Sequence, residues 1–534
     1  MPDALLPPMK WNAWGDPHAA KPLSEGIRSL LTQALGVTGP PAAELDADQV
    51  RLRPSELTSD HREALTAIVG PDYCRGDDRD RLLHAGGKST LDLLRRNNSA
   101  VQEAPDAVLL PGTDDEVAAI LRYCSQHGIA VVPFGGGTSV VGGLDPIRGE
   151  FDAVVSLDLR RFDQLLAFDE VSGEAEFGAG VTGPQAEQLL GEHGFSLGHF
   201  PQSFEFASLG GFAATRSSGQ DSAGYGRFDD MIRGLRAITP AGVLELGRAP
   251  QSAAGPDLRQ LLIGSEGVFG IITRVRVRVH PAPQATRYEA WSFPDFATGT
   301  AALRAVTQTG AGPTVIRLSD EAETGVNLAT TETIGETQIT GGCLAITVFE
   351  GTAAHADSRH AETRELMAAL GGTSLGEAPA RAWETGRFNA PYLRDSLLAA
   401  GALCETLETA TDWSNISALK AAVTDALTGA LAESGTPALV LCHISHVYAT
   451  GASLYFTVVA GQRGNPIEQW RAAKTAACDA IMATGGTITH HHAVGADHRP
   501  WMRNEVGELG VHVLRAVKST LDPAGILNPG KLIP

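Results

Sequence analysis

A hydrophobic strand pattern that runs directly into a cluster of glycines constrains this chain more than any other feature. Residues 129–143 read IAVVPFGGGTSVVGG. Glycine adopts backbone conformations with positive φ and lets backbone N–H groups approach an anionic ligand closely. The segment therefore predicts a loop whose amide dipoles, helped by the hydroxyls of Thr138 and Ser139, hold a diphosphate without a lysine.

The two common glycine-rich nucleotide motifs do not fit this segment. A GxGxxG pattern that starts at Gly135 places Val140 where the third glycine is required, and no P-loop lysine follows. A tight turn without a ligand is the alternative interpretation of an isolated glycine cluster. Three further glycine-containing segments, at 208–219, 264–273 and 522–531, favour the ligand, and the first of them offers small side chains, hydroxyls and one cation.

Length and composition indicate a globular protein of more than one domain. The chain has 534 residues, of which 43% are hydrophobic and 19% charged, and its formal net charge is −20. Such a charge disfavours nucleic acid as a partner. The six cysteines form no CxxC pair, so we expect reduced and mostly buried thiols.

No segment has the signature of membrane insertion or export. No run approaches the roughly 18 apolar residues that cross a bilayer, and residues 1–8 lack a basic region before an apolar stretch. We therefore expect a cytoplasmic protein, compatible with peripheral contact between an apolar patch and a membrane. We also expect a homodimer.

The order of periodic segments predicts an α+β protein with four parts. Residues 1–100 form a helical N-terminal segment, 101–282 a first domain, 283–500 a second α/β domain, and 501–534 a C-terminal tail. Thr113 and Glu116 are a candidate capping box, and Ser89 is a candidate N-cap. We expect helices over 23–35, 90–96, 113–127, 300–309, 354–370 and 504–518, and strands over 107–111, 129–132, 153–157, 174–177, 275–280, 289–293, 314–318 and 342–349.

The four glycine-containing segments together resemble the FAD-binding domain of the vanillyl-alcohol-oxidase / p-cresol-methylhydroxylase family. The resemblance implies a two-part FAD-binding domain, to which the C-terminal tail returns, and a second domain that caps the isoalloxazine ring. No histidine near the glycines matches those that tether flavin covalently in some members, so we expect non-covalent FAD. The cofactor-binding residues that the resemblance implies are Pro133, Phe134, Gly135, Gly136, Gly137, Thr138, Ser139, Gln202, Ser203, Ser208, Thr215, Arg216, Ser217, Ser218, Glu266, Gly267, Val268, Gly270, Ile271 and Ile272.

Three consecutive histidines, His490, His491 and His492, lie in the most unusual segment of the chain, GGTITHHHAVG at 485–495. On a strand the first and third would face one way and the second the other. Their ordinary pKa near 6.5 suits proton transfer or phosphate binding. Satisfied core imidazoles are one alternative. A metal site is another, but a third ligand is not evident from the sequence, and we expect none.

Within the family, these histidines are similar to those of the alkyl-dihydroxyacetonephosphate synthases, the ether-lipid branch. Residues 9–15 (MKWNAWG) resemble the opening of those enzymes. Residues 316–320 and 392–395 resemble their two arginine segments, and residues 451–456 resemble their tyrosine strand. The similarity therefore extends over most of the chain.

This resemblance implies a redox-neutral exchange on acyl-dihydroxyacetone phosphate, in which a fatty alcohol replaces the acyl group and leaves an ether. Tyr455 is implied as a proton-transfer residue together with the three histidines, and Tyr448 is the rival tyrosine. Arg394 and Arg317 are implied as the residues that bind substrate phosphate or carboxylate. The alternatives are a tyrosine that packs in a core and arginines in ordinary ion pairs.

The segment departs from the synthase pattern after the histidines. The synthases usually continue with Gly-Val-Gly-Lys, whereas Ala493 and Ala496 occupy the first and last of these places. The second change removes a cation, for which His498 or Arg499 could compensate. An FAD-dependent 2-hydroxy-acid dehydrogenase of the lactate or glycolate type is the runner-up function, although such enzymes carry His-Glu-His-Gly here. A catalytically inert FAD-binding scaffold is the third hypothesis.

Overall fold

A computed structural model describes residues 9–20, 22–37, 45–326 and 341–534. The prediction about a signal peptide concerns residues 1–8, which lie outside the described residues. Within the described ranges, no helix is both long and apolar enough to cross a bilayer.

Two sheets form the first large unit. In the four-stranded sheet, Ala107–Leu109 and Ile129–Phe134 both pair in parallel with Ala153–Asp158, and Cys74–Arg75 is an antiparallel edge strand. All six residues of the central strand are buried, as expected for a parallel strand covered on both faces. The five-stranded sheet is antiparallel and has the strand order Gly242–Leu246, Ile232–Thr239, Ile271–Arg278, Glu174–Gly178, Leu165–Asp169.

The helix Asp114–His127 connects two strands of the first sheet and begins as the sequence predicts. Thr113 Oγ1 accepts the N–H of Glu116 at 3.2 Å. The Glu116 side chain accepts the N–H of Gly112 at 2.7 Å instead of that of Thr113, so the predicted capping box is completed one residue earlier. Gly128 ends the helix in the left-handed conformation.

A seven-stranded antiparallel sheet forms the second large unit. Its apolar core includes the fully buried Trp291 and Trp470, and helices such as Ile416–Glu433 and Pro466–Ala483 pack on it. The strand order is Thr373–Gly376, Ala285–Phe293, Cys343–Gly351, Val315–Ser319, Ala438–Val447, Gly451–Gly461, Ala402–Asp412.

The N-terminal segment packs on both units. The helix Thr90–Asn98 has the predicted cap at Ser89, and its leucines lie in the core of the second unit. The helix Glu25–Leu35 packs against the outer strands of the same sheet, whereas Cys74–Arg75 joins the first unit. This strand and the parallel pair Arg51–Leu52 and Val101–Gln102 were not predicted from the sequence.

The C-terminal tail returns to the glycine-rich strand. Val131 donates its N–H to Ile526 O at 2.9 Å, and Asn528 donates its N–H to Val131 O at 2.8 Å. The first part of the tail is the helix Met502–Leu521, which is interrupted at Gly507, where φ is 73°. The helix predicted over 504–518 is therefore present, with one kink that the sequence did not predict.

Most remaining element predictions agree with the structure within a few residues. The strand expected over 275–280 instead spans Ile271–Arg278, and His280–Pro281 pairs separately with Phe195–Ser196. All six cysteines are free thiols. The other helices are Ser59–Val69, Asp78–Leu83, Gly183–Gly191, Leu209–Thr215, Ser222–Tyr225, Phe228–Met231, Arg259–Leu262, Phe296–Thr309, Glu321–Gly325, Ala353–Ala369, Ala378–Gly386 and Ala390–Ala399.

Candidate active site

A cavity of about 380 Å³ lies between the first unit and the seven-stranded sheet. The glycines at 135–137 line one side of it, and Tyr455, His491 and His492 line the other. Its walls therefore combine the predicted phosphate loop with the predicted acid–base residues.

The glycine loop offers unused donors to this cavity. The backbone N–H groups of residues 135–140 donate no hydrogen bond to any atom in the described parts of the chain. A Cβ atom on Gly136 would lie 2.7 Å from Ala207 Cα, so the loop packs on the neighbouring backbone too closely for a side chain. Successive free amides, the first three of them on glycines, fit the diphosphate of a dinucleotide.

Most of the cofactor-binding residues implied by the resemblance line the cavity, and two do not. Arg216 points away from it, because its guanidinium pairs with Asp229 at 2.9 Å and bonds Gln260 at 2.7 Å. Val268 is 2% exposed and packs in the apolar core of the first unit. Those that do line it are Pro133, Phe134, Gly135, Gly136, Gly137, Thr138, Ser139, Gln202, Ser203, Ser208, Thr215, Ser217, Ser218, Glu266, Gly267, Gly270, Ile271 and Ile272.

The segment 485–495, called the histidine loop below, is not a strand. Glu505 accepts the Ile488 N–H at 2.9 Å, and Ala410 O accepts the Thr487 N–H at 3.0 Å. The predicted alternation of side chains is therefore wrong. The neighbours His491 and His492 both line the cavity, whereas His490 Nε2 lies 2.5 Å from the hydroxyl of Tyr448.

One buried carboxylate accepts several hydrogen bonds from the histidine loop. Glu408 accepts the backbone N–H groups of His490, His491 and His492 at 2.5, 3.2 and 2.8 Å, and the Thr489 hydroxyl at 2.6 Å. Burial alone would raise its pKa, but the histidine side chains and the Thr489 hydroxyl outweigh burial and hold the pKa of Glu408 well below its usual value.

The three histidines are neutral at physiological pH in this environment. Burial lowers the pKa of His490 to about 3, that of His491 to about 4 and that of His492 to about 3, although the charge of Glu408 opposes the shift. Neutral imidazoles have a free lone pair. They can therefore accept a proton.

The two candidate tyrosines occupy different positions. Tyr455 lines the cavity, its ring stacks at 5.0 Å on that of His443, and it lies 5.6 Å from the ring of His492. Burial raises its pKa, so its hydroxyl keeps a proton. Tyr448 lies behind His490, outside the cavity lining, and burial raises its pKa to about 12.

Both predicted arginines line the cavity, and each is paired with a carboxylate. Arg394 donates from Nε and Nη2 to Asp395 Oδ1 at 3.0 Å and from Nη1 to Lys88 O at 2.7 Å. These bonds use three of the five guanidinium N–H donors, so donors remain for a ligand. Arg317 pairs with the fully buried Glu323.

Sequence reasoning missed two basic residues that line the cavity and one carboxylate, outside its lining, that holds the histidine loop. Arg387 lines it and pairs with Asp221 at 3.0 Å, and His446 lines it next to His491 at a ring distance of 5.2 Å. The carboxylate is Glu408. A signal for Arg387 was present, since it lies seven residues before Arg394 on the chain.

The third ligand that a metal site would need is present in space. His446, His490 and His491 each offer a nitrogen within 4.8 Å of the others. However, both ring nitrogens of His490 already have partners, which are the Tyr448 hydroxyl and His491 Nδ1 at 2.9 Å. His490 is therefore already satisfied by hydrogen bonds.

The two alanines that depart from the synthase pattern have different consequences. Ala493 has φ of 72°, the left-handed region that favours glycine. Ala496 leaves no cation at its position. Neither proposed substitute lines the cavity, because His498 bonds Ala493 O at 2.9 Å, and Arg499 donates to the tail at Ile533 O at 2.8 Å.

Comparison with known proteins identifies the two units. Residues 105–247 match the family model described as FAD binding domain, and residues 282–532 match the FAD linked oxidases, C-terminal domain. The structure is similar to that of p-cresol methylhydroxylase with substrate bound, at a TM-score of 0.69 and 16% identity over 90% of this chain and 98% of that chain. That likeness shows the fold: an FAD-binding domain and a cap domain of mixed helices and sheets.

A closer set of relatives covers nearly the whole chain. The alkyldihydroxyacetonephosphate synthase of Trypanosoma brucei brucei is 33% identical over 98% of this chain and 92% of the relative. A crystallised alkyldihydroxyacetonephosphate synthase superposes with a TM-score of 0.83 at 30% identity, over 98% of this chain and 99% of that chain. The chain therefore belongs to the alkyldihydroxyacetonephosphate synthase family of FAD-dependent enzymes.

Proposed function

We propose that this enzyme exchanges the acyl group of acyl-dihydroxyacetone phosphate for a fatty alcohol and releases alkyl-dihydroxyacetone phosphate and a fatty acid. The exchange balances without an external oxidant or reductant, because one C–O bond breaks at C1 and another forms there. One observation carries the proposal. Tyr455, His491 and His492 line the same cavity as the unused amides of the glycine loop.

The glycine loop would hold the diphosphate of FAD through the N–H groups of residues 135–140. When bound, FAD supplies a ring at which C1 of the dihydroxyacetone phosphate moiety can exchange one oxygen substituent for another. The loop packs against the segment 206–208, which supports its backbone.

Arg394 supports binding of the substrate phosphate. It is 8% exposed, lines the cavity and keeps its charge, because Asp395 raises its pKa despite burial. A guanidinium with free donors binds phosphate through paired hydrogen bonds. Arg317 and Arg387 carry further positive charge on the same cavity wall, each beside a carboxylate.

The protonation states indicate which side chains can donate a hydrogen bond during the exchange and which can accept one. Tyr455 retains its proton and can donate a hydrogen bond to the carboxylate oxygen that leaves C1, whereas His491 and His492 are neutral and can accept a hydrogen bond from the incoming alcohol, whose proton balances the fatty acid released. These donor and acceptor groups lie close together, because the ring centroids of Tyr455 and His492 are 5.6 Å apart.

The fatty chains need an apolar surface that is continuous with these groups. The helix Ala390–Ala399 and the seven-stranded sheet provide one. Their apolar side chains that line the cavity are Leu393, Leu397, Leu441 and Val459. Burial of each methylene there contributes about 0.8 kcal/mol.

The decisive experiment incubates the purified yellow protein with palmitoyl-dihydroxyacetone phosphate and labelled hexadecanol, without an electron acceptor. We expect labelled ether product and palmitic acid in equal amounts. Absence of labelled product from folded, FAD-loaded protein would contradict the proposal.

The runner-up, a 2-hydroxy-acid dehydrogenase, is tested by the flavin colour. Anaerobic D-lactate reduces and bleaches the flavin of such a dehydrogenase. We expect the yellow absorbance of this protein to persist under the same conditions. Non-covalent attachment of FAD, which denaturation should release, stays a prediction, as do cytoplasmic residence, the homodimer and peripheral membrane contact.

A further inference from the structure

We propose that Glu408 is a positioning residue, which holds the histidine loop so that His491 and His492 face the reacting carbon. The proposal rests on the proposed function. Glu408 lies on the strand Ala402–Asp412 and is the register partner of Tyr455 on the neighbouring strand. Directly paired residues of an antiparallel sheet project from the same face. The same pair of strands therefore carries both Tyr455 and the glutamate that supports the histidine loop.

The donors that converge on Glu408 match an ionised carboxylate. Three successive backbone N–H groups and one hydroxyl donate to its two oxygens. A carboxylate only accepts hydrogen bonds and has about four lone-pair sites, so its acceptor capacity is filled. The side chain is 0% exposed, so water cannot replace a lost partner.

The carboxylate acts on the histidines through position as well as charge. The loop has no strand partner, and its N–H groups at 490–492 meet in one side chain. The Nδ1 atoms of His491 and His492 lie 3.7 and 3.8 Å from Glu408, beyond hydrogen-bond distance. Glu408 therefore orients these imidazoles through their backbone and does not itself reach the cavity, which it does not line.

Glu408→Gln replaces one acceptor oxygen by an NH2 group that would face N–H donors. A displacement of about 1 Å at a catalytic group costs about 100-fold in rate. We expect kcat for ether formation to fall about 100-fold while KM for acyl-dihydroxyacetone phosphate changes less than about threefold. We also expect the amides at 490–492 to exchange with deuterium about tenfold faster.

Glu289→Gln is the matched control. Glu289 is 3% exposed, lies on the same sheet and bonds His360 at 2.7 Å, away from the cavity lining. We expect its substitution to leave kcat and the exchange of the histidine loop unchanged. Glu408→Asp keeps the charge but shortens the side chain, so it should give an intermediate kcat. This variant replaces Glu408→Gln in the test if the glutamine variant does not fold.

Several outcomes would overturn the proposal: wild-type kcat in folded Glu408 variants, unchanged deuterium exchange at 490–492, or an effect confined to KM and stability. Failure of the proposed function is distinguishable. Wild-type protein would then give no ether product, while deuterium exchange in the Glu408 variants would still decide whether this carboxylate holds the loop.

Discussion

The carboxylate of Glu266 accepts the backbone N–H of Gly495 through both oxygens, at 2.8 Å for Oε1 and 3.0 Å for Oε2. It also accepts the N–H of Val494 at 3.1 Å. Glu266 belongs to the first unit, whereas Glu408 belongs to the seven-stranded sheet. The histidine loop is therefore held in its middle and at its C-terminal end by carboxylates from the two units whose surfaces form the cavity.

Glu266 should make stability depend on pH. Burial raises its pKa from 4.5 to about 7, despite the two backbone N–H donors. Between these values the unfolded chain has released the proton and the folded protein retains it, so stability falls as pH rises through this window. The Glu266→Gln variant should show a smaller loss of stability between pH 5 and pH 8, measured by urea unfolding. Identical slopes for both proteins would contradict the raised pKa.

Gly136→Ala should weaken FAD binding. The added Cβ would lie 2.7 Å from Ala207 Cα, and backbone atoms cannot yield without moving the loop. Overpacking of this kind costs about 1–3 kcal/mol, which, if it falls on the bound state, raises the Kd for FAD about 5- to 150-fold, measured by flavin fluorescence. Gly191→Ala is the control, since nothing lies within 4 Å of its Cβ position. Equal affinity in both variants would show that the cradle tolerates a side chain.

Ala493→Gly should stabilise the fold. Its φ of 72° is costly for a residue with a Cβ atom, by about 1–2 kcal/mol, although glycine adds backbone entropy to the unfolded chain. The net gain should be about 0.5–1 kcal/mol and appear as a higher Tm. Ala496→Gly is the control, because Ala496 is not among the residues with positive φ, and glycine there should lower Tm. A lower Tm in both variants would refute the strain at Ala493.

The sequence predicted local elements better than it predicted partners. Capping and periodicity placed the helix Asp114–His127 and the strand after it within two residues, because these signals act over one or two turns. Glu408 could not be found in this way. It lies more than 80 residues before the residues that it binds, and an isolated glutamate in a strand carries no local signal.

The orientation of the histidine loop was also beyond what local sequence signals could predict. Its residue types indicated acid–base chemistry, but the orientation of each ring depends on contacts with distant residues. Glu505 and Ala410 hold its first half away from strand geometry. The strand assumption therefore placed His490 and His492 on one face, whereas the cavity is lined by His491 and His492.

The last prediction separates the two tyrosines. Tyr455→Phe removes a hydroxyl that lines the cavity next to His492, so it should lower the rate of ether formation at least about 100-fold, the usual contribution of general acid–base catalysis. Tyr448→Phe removes a hydroxyl that contacts His490 behind the cavity lining, and it should have a smaller effect. His492→Ala should also abolish product. All three proteins should stay yellow, since none of these residues belongs to the glycine loop. Wild-type turnover by Tyr455→Phe, or a larger defect in Tyr448→Phe, would transfer the proton-donor role to Tyr448.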